Sequence, residues 1–172
     1  SALASNGGAA LAFVNTHVAA ALGALAWGLV EYVRIKKVTA LGIASGLVAG
    51  LVGITPAAGF VSPMGAIAIG VAAGLVCYGG VLLKHKFGYD DALDAFGVHG
   101  VGGILGAILT GVFASEAWGG KTGLLEGNTS VFMAQLAGVG AAIAFSVVLT
   151  WVLLFAIDKT IAFLSVGTNG GT

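Results

Sequence analysis

Residues 129–157 of this chain run without a single charged side chain, and four other apolar runs precede them. A stretch of about 20 apolar residues is long enough to cross the hydrocarbon of a bilayer as a helix. Five such stretches leave few alternatives. Only 8% of the residues are charged and mean hydropathy is +1.05, whereas a water-soluble domain carries about 25% charged residues. The chain could not cover its own surface with water-compatible groups, so the expected fold class is an all-α polytopic membrane protein.

The runs place five transmembrane helices near residues 9–33, 38–61, 63–83, 92–114 and 129–157. The breaks between them have recognisable chemistry: Arg34-Ile35-Lys36-Lys37, then Ser62-Pro63, then Lys84 to Asp91, then the glycine-rich Trp118-Gly119-Gly120-Lys121. Arg34, Lys36, Lys37, Lys84, Lys86 and Lys159 fall on one side of this arrangement and Lys121 alone on the other. The positive-inside rule therefore puts the N-terminus of the chain outside and its C-terminus in the cytoplasm. Glycines recur four apart at Gly42, Gly46 and Gly50, at Gly70 and Gly74, and at Gly102 and Gly106. That spacing makes grooves in which helix backbones approach closely in lipid. Residues 161–172 are expected to form a flexible cytoplasmic tail. The chain opens on Ser1 rather than Met, which reads as a piece of a longer or processed polypeptide.

Several function classes lose support. Net charge is zero, so nothing points to nucleic acid. Cys77 is the one cysteine, so there is no disulfide framework. No nucleophile elbow, phosphate loop or paired carboxylates support hydrolysis or phosphoryl transfer, and no cofactor motif is present. An enzyme is not expected.

His99 is the residue that demands an account. It lies about seven residues into the fourth span, roughly 10 Å deep at 1.5 Å per residue. A polar ring in such a setting is a functional-site candidate, although a histidine bonded to a neighbouring helix carbonyl would also satisfy it. A neutral imidazole offers one donor and one acceptor, suited to a small polar solute in a greasy passage. It has no His or Cys partner at helical spacing, so a metal site competes poorly. His17 reads as a packing group and His85 as a solvated loop residue. Asp90, Asp91 and Asp94 precede the fourth span and can cap it through the helix dipole; Asp94, nearest the helix, could instead line an inner vestibule. Thr55 stands before Pro56, which should bend the second span and leave a backbone carbonyl free.

At these residues a resemblance becomes visible. Asp94-Ala95-Phe96-Gly97-Val98-His99-Gly100 is similar to the D-x-F-G-x-H-G signature of the ammonium transporter (Amt/Mep/Rh) family. Ala10 to Thr16 (Ala-Leu-Ala-Phe-Val-Asn-Thr) and Gly46 to Ala57 resemble two further segments in that family's order and spacing. The likeness runs from Ser1 to about Lys159. It implies eleven spans in two inverted halves, homotrimers, and a pore within each subunit lined by two histidines, one from each half. On that basis His99 matches the second-half histidine, Ser1 the serine that helps receive ammonium at the outer vestibule, and Thr55 and Asp94 positions at or near the conduction path. The chain would correspond to the last five spans, with the first-half helices expected upstream or in another chain. The sequence after Lys159 lacks the charged tail that many bacterial members present to P-II signalling proteins. The expected function is transport of ammonium or ammonia. The alternatives are an ammonium sensor on the same scaffold, which a fused signalling domain would mark, and a half-bundle that works only with its missing partner.

Overall fold

The computed structural model describes residues 5–88, 91 and 93–168, and every regular element among them is helical. In chain order these are α1 (Gly7–Ile35), α2 (Ala40–Ile54), α3 (Pro63–Phe87), a π-helical turn (Phe96–Gly100) leading into α4 (Val101–Phe113), the short α5 (Glu116–Gly119), a 3-10 turn (Leu124–Glu126) and α6 (Thr129–Thr168). Four helices are long and apolar enough to cross a membrane: Gly7–Ile35, Pro63–Lys84, Phe96–Phe113 and Thr129–Ile161. The chain divides into two compact units, Ser1–Leu136 and Ala137–Thr172. In the second unit α6 is apolar and exposed through Ile161, with Trp151 stacked on Phe155 at 5.7 Å. Residues 169–172 of the expected tail lie outside the described residues.

The first unit is built on small residues. A Cβ at Gly46 would stand 2.5 Å from Trp27 Cβ and 2.7 Å from the Gly23 carbonyl, and one at Gly74 would stand 2.5 Å from that same carbonyl. A Cβ at Gly106 would collide with the Gly53 carbonyl. The glycine stripes are thus the seams along which α1, α2, α3 and α4 meet, as their spacing predicts. Ile54, Ala57, Ala58, Val61, Ala66 and Ile69 close one core with Ala12 and Ala19 of α1.

Helix ends follow their caps. Asn6, Thr39 and Ser62 each turn a side-chain oxygen to an amide in the first turn of α1, α2 and α3. Glu31, 8% exposed near the end of α1, accepts from the Thr39 amide at 2.9 Å and its hydroxyl at 2.8 Å, tying the end of α1 to the start of α2. Nothing in the local pattern around Glu31 signals that role.

The stretch expected as a second span over 38–61 behaves differently. Its helix stops at Ile54 after 15 residues, and 55–60 form turns. Pro56 has no N–H to continue the ladder. The carbonyl expected to be free is not: the Thr55 amide is shared between Leu51 O at 3.1 Å and Val52 O at 3.2 Å. Two longer-range partners hold the turn. Asn15 of α1, wholly buried, donates from Nδ2 to Ala58 O and to Val61 O, each at 2.9 Å. On another side Val61 bridges to Ala114, and the Ser115 amide donates to Phe60 O at 2.9 Å. Unmade, the bonds from Asn15 would leave the carbonyls of two buried residues, Ala58 and Val61, unpaired at a cost of about 1–3 kcal/mol each.

Candidate functional site

The fourth apolar run does not start as an α-helix. Asp94 adopts a left-handed backbone at φ 53°, which an aspartate tolerates better than most residues. Residues Phe96–Gly100 then form a π-turn, with the Val101 amide reaching back to Phe96 O. Such single-turn insertions widen a helix locally and recur at functional sites. His99 lies within it.

The three aspartates at this entrance have separate fates. Asp91 Oδ2 accepts from the amides of Phe96 at 3.0 Å and Gly97 at 3.3 Å, which makes it the residue that caps the helix. Asp94 forms an ion pair with Lys84 from the end of α3, and the same ammonium donates to Asp91 O at 2.9 Å. Asp90 lies outside the described residues.

The wall facing His99 comes from the broken second run. Val52, Thr55, Pro56, His99, Gly103 and Ala107 line one cavity of about 400 Å³. No charged side chain is among them. The His99 ring is exposed in this chain and makes no hydrogen bond among the described residues. Thr55 turns its hydroxyl to Leu51 O at 2.6 Å. Pro56 also borders a second cavity of about 300 Å³ with Phe60, Thr110, Lys121 and Gln135.

Two of the residues singled out from sequence, His99 and Thr55, therefore share a cavity, and Asp94 is not among its lining residues. Ser1 lies outside the described residues. His17 keeps its Nδ1 on Phe13 O at 2.9 Å, with the two rings 4.2 Å apart. Sequence reasoning missed Asn15, the capping by Asp91 in particular, and the π-turn. An asparagine inside an apolar run was the one available signal for the first.

Chemically, such a cavity can accept or donate one hydrogen bond to a small neutral solute. It offers no counter-charge to a bare cation, whose Born cost in an apolar medium is of the order of 20 kcal/mol before relaxation.

A profile of the Ammonium Transporter Family matches residues 1–170. The chain is 52% identical over 162 residues to a protein named ammonium transporter from Aquifex aeolicus, which covers 94% of this chain and 38% of that protein. It superposes on the crystal structure of Saccharomyces cerevisiae Mep2 with a TM-score of 0.85 at 40% identity, over 88% of this chain and 35% of the other. A structure named Sensor Amt Protein is also similar, with a TM-score of 0.78 at 28% identity over 90% of this chain and 38% of that one. The chain thus spans under two fifths of the length of these relatives.

Proposed function

Because this chain belongs to the ammonium transporter family, we propose that it supplies the last five spans of an eleven-span protein that carries ammonium nitrogen across a membrane. In that reading residues 1–160 are the second half of the transporter domain and 161–172 its cytoplasmic tail. The single observation that carries the proposal is the shared cavity of His99 and Thr55, which come from two separate segments resembling the family's.

The cavity is apolar apart from one imidazole and one hydroxyl, so it favours ammonia over ammonium at its narrow part. Attraction of the cation then belongs to the outer vestibule, where Ser1 would take part. Deprotonation precedes or accompanies entry, and His99 offers the passing ammonia a donor and an acceptor. A second histidine from the first half would complete the path. Asp94 acts at the inner mouth through its pair with Lys84. Assembly as a homotrimer, the N-terminus outside and the C-terminus inside complete the proposal.

The test uses the complete protein in proteoliposomes, with ammonium-driven internal pH change as the readout. The complete protein should give saturable flux and residues 1–172 alone none above empty vesicles. His99→Ala should change transport of ammonium and methylammonium strongly with the assembly intact. His99→Glu should admit potassium, because a carboxylate in the path favours bare cations. Unaltered selectivity in well-folded His99→Glu protein would remove His99 from the mechanism.

A second reading, a sensor in which binding signals with little flux, draws on the similarity to the structure named Sensor Amt Protein. Saturable ammonium binding without flux in the same vesicles would favour it.

A further inference from the structure

Asn15 spends both N–H groups on one short stretch of backbone. Nδ2 holds Ala58 O and Val61 O at 2.9 Å each, across 43 and 46 residues of sequence. Its Oδ1 is sealed from solvent and has no hydrogen-bond partner among the described residues. An apolar side chain of similar shape would fill the space but leave the Ala58 and Val61 carbonyls without their donor. The asparagine supplies donors to two carbonyls of the turn that follows Pro56.

The stretch it holds is no ordinary loop. Thr55 and Pro56 at its head form the wall of the cavity that contains His99, and Pro56 faces the second cavity as well. Its far end is locked to the end of α4 through Val61 and Ala114 and through Phe60 and Ser115. His99 stands at the other end of that same helical run. The spacing between wall and ring is therefore set from both sides, by α4 directly and by Asn15 from α1.

We propose that Asn15 is a positioning residue of the transport path, fixing through Ala58 and Val61 where the Thr55–Pro56 wall stands in the cavity it shares with His99. The inference rests on the transport reading above and deepens it. Asn15 is wholly buried and is not among the cavity's lining residues, so its influence is on width and hence on which solute passes.

The experiment compares Asn15→Leu, which keeps the branched skeleton but has no donor, with Asn15→Ser, which keeps one. Both are made in the complete protein and matched for folded, assembled material by size-exclusion chromatography. Flux and KM are measured for ammonium and for the larger methylammonium. Misplacement of a wall by an ångström is enough for large kinetic effects, so the methylammonium-to-ammonium ratio should shift by about tenfold in Asn15→Leu. Asn15→Ser should shift it less. A merely structural role would lower the folded yield and leave the ratio alone. An unchanged ratio in folded Asn15→Leu overturns the proposal. If Asn15→Leu does not assemble, the ratio in Asn15→Ser decides in the same way, and failure of both to assemble assigns Asn15 to folding and overturns it too. No ammonium flux or binding in the unaltered protein would sink the transport reading as well, whereas an active parent with unmoved Asn15 variants sinks this inference alone.

Discussion

The ammonium of Lys84, at the end of α3, pairs with the carboxylate of Asp94, which stands just before the turn that carries His99. The two side chains are 17% and 30% exposed, so the pair is sheltered but not desolvated. Together with the Asp91 carbonyl it fastens the mouth of the fourth run to α3. A double-mutant cycle with Lys84→Met and Asp94→Asn should return a coupling of about 0.5–1 kcal/mol in detergent unfolding. Asparagine is chosen because it tolerates the left-handed backbone at 94; Asp94→Ala should cost more than Asp94→Asn for that reason. Zero coupling would mean that the pair does not fasten this mouth.

Asp91 should matter through its cap. Asp91→Ala removes the acceptor of the Phe96 and Gly97 amides and should cost about 1 kcal/mol, with Asp91→Asn retaining part of it. Amide hydrogen exchange at those two positions should quicken first, ahead of the α4 interior. Exchange that stays as slow as in the parent would remove the cap from the account.

Glu126 gives the loop between α4 and α6 a dependence on pH. The Ser115 hydroxyl and then the Glu116 amide, at 3.0 Å, hold its carboxyl below the usual carboxylate range. A depressed folded value means the contribution is present above the unfolded pKa and is lost as pH falls through the folded one. Protease cleavage or hydrogen exchange in 115–126 should therefore increase below about pH 4, the ordinary glutamate value. Glu126→Gln should show the open behaviour at neutral pH and no further change on acidification. A loop equally closed in both proteins across that range would refute this.

The proposed orientation rests on the sequence expectation that six basic residues share one side and Lys121 faces the other. Cysteines introduced at 86 and 121, in a background with Cys77 replaced, should differ toward a membrane-impermeant reagent in intact cells. Only the one at 121 should react. Labelling at 86 alone would reverse the topology.

What the sequence alone determined is what neighbours along the chain decide. Uncharged apolar length makes α1, α3, α4 and α6 helices, Ser62-Pro63 starts α3 where a capping serine and a ring-fixed φ belong, and the four-residue glycine spacing marks the seams. His99 and Thr55 stood out because polar groups in apolar runs need partners. Tertiary structure decided the rest. How the turn after Pro56 is held was decided by a distant donor, Asn15, which is 43 residues away from Ala58. Which aspartate caps and which pairs depended on where α3 delivers Lys84. At the π-turn over Phe96–Gly100 the Asp91 carboxylate takes amides five and six residues on, a pairing the sequence left open among three aspartates. Local pattern fixes which segments are apolar and helical; the pairing of polar atoms is settled only when glycine seams bring distant backbones into contact.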